Sequence, residues 1–237
     1  MILGVIGGLG PMATARFMEM VIQMTDASCD QEHLEMIIHN CPQIPDRTAY
    51  ILGKSDKDPA PPMIRAGRAL AGEGASCIAI PCITAHYFHR ELSDGIGIPI
   101  INAITETGHE LIRSGARRIG IMATDGTIRS GIFQKELEEM GLEIVLPDEV
   151  NKKYIMDVIY KNIKSGQPVD MERFDAARKN LKEQGAQILI LGCTELSLVD
   201  KERLPGKGYL DAMEVLARSA VTTCHGRLKR KYENLIR

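Results

Sequence analysis

Two cysteines of this chain, Cys82 and Cys193, each stand at the end of an apolar run and are followed at once or one residue later by threonine. The segments are Ile-Ala-Ile-Pro-Cys-Ile-Thr-Ala-His at 78–86 and Ile-Leu-Ile-Leu-Gly-Cys-Thr-Glu-Leu at 188–196. One thiol motif is written twice. A cysteine where a strand leads into a helix N-terminus sits among unpaired backbone N–H groups and the positive end of the helix dipole, which favour the thiolate. Two such groups facing each other across a small substrate could move a proton from one side of a carbon to the other. One thiolate takes the α-proton and the opposite thiol returns one, the general acid–base chemistry of a racemase or epimerase. Thr84 and Thr194 can cap the helices that follow or present their hydroxyls to a ligand carboxylate. Glu195 and His86 stand close enough in sequence to orient or tune the thiols.

Such a substrate also needs its carboxylates held. Arg47, in Pro-Asp-Arg-Thr at 45–48, follows the second predicted strand of the first half, and Lys164, in Lys-Ser-Gly at 164–166, follows the corresponding part of the second. The repeat thus supplies one cation from each side, Arg47 able to grip a carboxylate bidentately and Lys164 acting as a point charge. The run Gly-Gly-Leu-Gly-Pro-Met-Ala-Thr at 7–14 puts backbone N–H groups at the mouth of the first helix, with Pro11 as its first residue. Its spacing is not that of a dinucleotide fingerprint. Cys77, Cys82, His86 and His89 lack a second ligand pair with zinc-finger spacing, so no metal site is expected.

The elements that must position these groups follow from periodicity. Apolar runs at 2–6, 34–38 and 77–80 alternate with helical patterns at 11–25 and 63–73. The same order returns with runs at 118–122, 143–146 and 187–191 and helices at 130–140, 154–164 and 173–184. Alternation of this kind predicts βαβ units with parallel sheets. The repeat is in register: 3–6 lies against 119–122, and Ile-Asn-Ala-Ile at 101–104 against Leu-Asp-Ala-Met at 210–213. The expected fold is α/β, two doubly wound parallel-sheet lobes related by a pseudo-twofold axis. Lobe one comprises 1–99 and 209–237 and carries Cys82; lobe two comprises 100–208 and carries Cys193. The chain crosses near 98–102 and again near 206–209, with a final helix over 213–235. Ligands bind beyond the carboxyl ends of strands in such sheets, so both thiols should converge on one interlobe cleft. The polar, proline-rich segment 54–62 reads as an exposed loop or lid. The basic run 227–231 reads as the last turn of the final helix.

Composition excludes several classes. The 237 residues are 44% hydrophobic and 25% charged, with a net charge of −2, which gives no general attraction to nucleic acid or an anionic membrane. The start lacks a basic segment ahead of its apolar residues, and no apolar stretch approaches bilayer-spanning length. Six cysteines without an export signal are expected as reduced thiols of a cytoplasmic protein.

The motifs at 7–14, 46–48, 81–86 and 191–196 together resemble the aspartate/glutamate racemase family, its aspartate racemases in particular, over essentially the whole chain. That resemblance implies a two-lobed α/β fold, a cofactor-independent two-base mechanism with no pyridoxal phosphate, an amino acid substrate and, commonly, a homodimer. It places the bases at Cys82 and Cys193 and substrate contacts at Leu9, Arg47, Thr84, Lys164 and Thr194. The family usually has Asn between the first Cys and Thr; here Ile83 keeps a backbone N–H for the substrate but offers no side-chain donor. Aspartate is the first substrate expected, with glutamate or another amino acid behind it. A maleate isomerase or malonate decarboxylase is the alternative within the superfamily, the retention of both cysteines standing against the one-cysteine decarboxylases. A ligand-binding protein without turnover is the alternative of another class.

Overall fold

The computed structural model describes residues 1–200, 204 and 206–237. Strand β1 (Leu3–Gly7) is buried at every position, as suits a central parallel strand covered on both faces. It is followed by α1 (Pro11–Met24), β2 (Met36–Asn40), α2 (Arg47–Ile51), α3 (Ala60–Gly72), β3 (Cys77–Ala79), α4 (His89–Ile96) and α5 (Ala103–Ser114). The second series is β4 (Arg118–Met122), α6 (Asp125–Ser130), α7 (Ile132–Glu139), β5 (Glu143–Val145), α8 (Glu149–Asp157) and α9 (Met171–Glu183). It ends with β6 (Ile188–Leu191), β7 (Tyr209–Asp211) and α10 (Ala212–Thr223). The strands form two parallel sheets, ordered β2-β1-β3 and β5-β4-β6-β7.

The two sheets share one plan. Beyond β3, the Ile78 N–H donates to the Pro99 carbonyl and the Ile101 N–H to the Ile78 carbonyl, each at 2.8 Å, so the segment 99–101 stands where β7 stands in the other sheet. Asn102 then caps α5 by accepting from Ile104 and Thr105, and Asp211 caps α10 by accepting from Met213 and Glu214. Gly4 and Gly120 are matched as well. A Cβ on Gly4 would meet Ala75 Cβ at 2.9 Å and Leu70 Cβ at 3.3 Å, and one on Gly120 would meet Ala186 Cβ at 3.1 Å and Leu181 Cβ at 3.3 Å. Glycine lets α3 and α9 lie equally close to their central strands. The fold is therefore α/β, with two doubly wound parallel-sheet lobes of repeated design.

One face of each sheet turns to a shared apolar core that includes Val5, Phe17, Leu111, Ile121, Phe133 and Leu216. The outer faces are covered by Met63, Leu70 and Leu92 in lobe one and by Ile155, Phe174 and Leu181 in lobe two. Helix α5 packs on α7, and α10 packs on α1 and α5, so the helices after the two caps tie the halves together. Residues 209–211, expected in the first lobe, pair with β6 and form the edge of the second sheet. Each crossing thus falls at a helix cap, and we propose lobes of 1–102 with 212–237 and of 103–211, in place of limits at 99 and 209.

Other boundaries also move, for local reasons. Helix α3 begins at Ala60, so Pro61 and Pro62 lie inside its first turn, where a missing N–H costs no helical hydrogen bond. The proline-rich loop shrinks accordingly. Helix α10 stops at Thr223: His225 adopts φ 62°, its N–H bonds the Thr222 carbonyl, and Gly226 N–H bonds the Val221 carbonyl, a Schellman stop. The basic run after it lies in a tail in which Leu228 bridges Thr25 and Arg230–Tyr232 form a 3-10 turn, and the tail ends with Arg237 exchanging hydrogen bonds with Tyr209. Helix α8 passes into a π-helical turn, Val158–Ile163, which delivers Lys164. Among the described residues no helix is long and apolar enough to cross a membrane.

Candidate active site

Both cysteines lie just beyond the carboxyl ends of matching strands. Cys82 precedes a 3-10 turn, Ile83–Phe88, and Cys193 stands two residues past β6; each is 5% exposed. One narrow pocket between the lobes is lined by both thiols and by Leu9, Arg47, Ile83, Thr84, Lys164 and Thr194. The eight residues named in the sequence as bases or substrate contacts thus share one pocket. It shares Leu9, Asp46, Arg47, Lys164 and Glu195 with a wider mouth of about 410 Å³ beside the start of α1.

The charges around the two thiols differ. Arg47 enters from the first turn of α2, which Asp46 caps by accepting from Ala49 N–H at 2.6 Å. The Arg47 guanidinium donates to the carbonyls of Pro45 at 2.9 Å, Leu9 at 3.0 Å and Ile44 at 3.4 Å. Its Nε–H has no acceptor among the described residues. Burial opposes the Arg47 charge, but Cys82, Asp46 and Glu195 outweigh burial and raise its pKa. On the other side, Cys193 Sγ donates to Glu195 Oε2 at 2.9 Å, Thr194 donates to the same oxygen at 3.4 Å, and Lys164 Nζ lies 3.5 Å from Oε1. Burial, then the charge and hydrogen bond of Glu195, push the Cys193 thiol well above the usual thiol range, against the pull of Lys164. Lys164 also sits 4.7 Å from the centre of the Tyr160 ring, a cation–π distance. Burial works against its charge, while Glu195, Tyr160 and both thiols hold its pKa above the ordinary value.

A hydroxyl cluster joins the lobes at the pocket wall. Thr84 Oγ1 lies 2.9 Å from Thr127 and 3.2 Å from Thr124; Thr124 and Thr127 are 3.1 Å apart, and Thr48 reaches Thr124 at 3.4 Å. Thr84 is therefore not a helix cap but a cross-lobe link, and Thr194 turns to Glu195. Gly126 permits this contact, since a Cβ there would come within 2.9 Å of Thr48 Cα. Thr124 and Tyr160 line the pocket and were not singled out in the sequence. The repeat register did contain a signal for Thr124: continuing the match of 3–6 with 119–122 sets it opposite Gly8.

Of the two candidate tuning residues, the structure brings only Glu195 to a thiol. His86 is buried outside the pocket lining, and burial, then the neighbouring His89, lowers its pKa to about 3, so it carries no charge near neutral pH. In the glycine-rich start, the Gly8 N–H is taken by Thr14 Oγ1 at 2.8 Å rather than left for an anion. Cys77 faces Cys224, their sulfurs 3.5 Å apart in the core.

Two cysteines at matching strand ends of a repeated α/β fold, enclosed with a cation on each side, define a class, and the comparisons with known proteins agree. The chain belongs to the Asp/Glu/Hydantoin racemase family, whose model matches residues 6–220. It is 30% identical over 229 residues to the broad specificity amino-acid racemase RacX of Bacillus subtilis, covering 93% of this chain and 97% of that protein. Among solved structures, the aspartate racemase of Picrophilus torridus is 28% identical with a TM-score of 0.83, covering 99% of this chain and 98% of that one. The glutamate racemase of Francisella tularensis in complex with D-glutamate, at 16% identity, shares the fold with a TM-score of 0.68 over 94% of this chain and 80% of that one.

Proposed function

We propose that the protein is a cofactor-independent amino acid racemase in which Cys82 and Cys193 are the two bases. The observation that carries this reading is that two buried thiols, one from each lobe, line a single pocket with Arg47 and Lys164. The thiolate on one side removes the α-proton. The α-carboxylate, held by a cation, takes up the carbanion's charge, and the opposite thiol protonates the other face of the carbon. Each turnover exchanges the protonation states of the two sulfurs, and the reverse reaction uses them in exchanged roles. Leu9, Ile83, Thr84 and Thr194 complete the substrate's walls.

Aspartate is the first substrate to test, in line with the likeness to the Picrophilus torridus enzyme. Ile83 is 1% exposed, lines the pocket and offers no side-chain donor for a second carboxylate. That observation, with the likeness to a broad specificity racemase, favours a second reading in which amino acids with uncharged side chains are also accepted. The test is incubation of the purified protein with single L-amino acids in deuterated water without added cofactor. Loss of the α-proton signal with the D-enantiomer appearing on a chiral column supports the reading. Folded protein that turns over none of them contradicts it.

A further inference from the structure

Resting on the two-thiol reading, we propose that Glu195 is a positioning residue that keeps the exchangeable proton on Cys193, so that this thiol enters the reaction as the proton donor. The geometry is specific. The Glu195 carboxylate is shared, Oε2 accepting from Cys193 Sγ at 2.9 Å and from Thr194 Oγ1 at 3.4 Å while Oε1 faces Lys164 at 3.5 Å. Its side chain is 7% exposed. A carboxylate in that position accepts the S–H bond and would face a thiolate with repulsion, so both contributions favour the protonated sulfur.

The other groups facing Cys193 do not reverse this. Lys164 and Tyr160 approach from the π-helical turn and its end, and Lys164 is drawn to the far oxygen of Glu195. Cys82, Arg47 and Asp46 line the same pocket from the first lobe, where the Arg47 guanidinium is held by the carbonyls of Ile44, Pro45 and Leu9 and its charge is supported by Cys82, Asp46 and Glu195. Cys193 is therefore the thiol hydrogen-bonded to a carboxylate, while Cys82 shares its side of the pocket with the Arg47 guanidinium. In the resting enzyme Cys193 holds its proton and is the donor.

The test reads the thiols directly and needs no turnover. The full-length protein is alkylated with iodoacetamide from about pH 6 to about pH 10, and the peptides carrying Cys82 and Cys193 are followed separately by mass spectrometry. The midpoint of each curve reports ionisation, whereas the plateau reports access. In the wild-type protein the Cys193 midpoint is expected above that of an ordinary thiol. Glu195→Gln removes the charge with little change in shape and is expected to lower that midpoint by about one pH unit or more, raising labelling at a given pH about tenfold, with the Cys82 curve in place. Glu195→Asp, which withdraws the carboxylate by one methylene, is the second variant if Glu195→Gln does not fold, and is expected to shift the midpoint the same way by less. An unmoved Cys193 midpoint in a folded variant overturns the proposal, as does a wild-type midpoint at or below the ordinary thiol value. If racemisation fails while the midpoint moves, the racemase reading falls and the proton assignment stands; the converse result leaves the racemase and removes the role of Glu195.

Discussion

Cys82 and Cys193 occupy matching places beyond β3 and β6, yet the residues that follow them have opposite character. Counted from each cysteine, Ile83 corresponds to Thr194, Thr84 to Glu195 and His86 to Ser197. In lobe one the Thr84 hydroxyl joins the cross-lobe cluster, and His86 is buried and neutral. In lobe two the Glu195 carboxylate takes the thiol's hydrogen bond, and Ser197 donates to Asp211 at 2.6 Å. The cation lining the pocket from lobe one is a guanidinium fixed by backbone carbonyls, and from lobe two an ammonium paired with a carboxylate. The repeated backbone fixes where each sulfur stands. The side chains around it set how strongly it holds a proton.

The most severe way to break the comparison is to remove one sulfur. Cys82→Ala and Cys193→Ala are each expected to lower racemisation about 1,000-fold, within the range of general acid–base catalysis, with thermal stability nearly unchanged. Steady-state kinetics beside a melting curve checks this. Arg47→Lys keeps the charge but cannot reproduce three donations to backbone carbonyls, so kcat/KM should fall about 100-fold and stability by roughly 1–3 kcal/mol. Gly126→Ala forces α6 away from Thr48 at the lobe junction. A loss of about tenfold in activity and a fall of a few degrees in Tm, about 1–2 kcal/mol, are expected from overpacking at this contact.

A pH measurement sharpens the contrast at His86. Its folded pKa, about 3, lies below the ordinary histidine value, so the unfolded chain takes a proton that the folded chain does not. The associated stability is complete above roughly pH 6.5 and is lost as pH falls toward about 3, with a slope of up to about 1.4 kcal/mol per pH unit. Urea titrations across that window should show the slope in the wild type and a shallower one in His86→Leu. The smallest effect is expected from Thr84→Val, which leaves Thr124 and Thr127 bonded to each other and should cost about 1 kcal/mol by the same titration.

Much of this was legible in the sequence because it depends on local pattern. Buried parallel strands read as apolar runs, and a cysteine at each of two matching run ends marked the pocket before any contact was known. The match of 101–104 with 210–213 marked the two equivalent segments, while the capping by Asn102 and Asp211 within them emerges only in the structure. What escaped depends on long-range or irregular geometry. Tyr160 reaches the pocket because a π-helical turn alters the spacing before Lys164, which a regular helical period does not anticipate. The Thr84–Thr124–Thr127 cluster forms only when the lobes meet. The end of α10 was missed because His225, not a glycine, adopts the left-handed stop, although Gly226 follows it. The contrast between the thiols was not legible either, since adjacency in sequence made His86 and Glu195 equal candidates and only burial and distance separate them.

The central claim, one base on each side of the substrate, is tested most directly by the fate of the label in the first few per cent of turnover in deuterated water, starting from one pure enantiomer. Two bases predict that the product enantiomer carries deuterium at Cα while the recovered substrate enantiomer remains protiated. Deuterium appearing equally in both enantiomers at early times would mean that a single group removes and returns the proton, and would contradict the account.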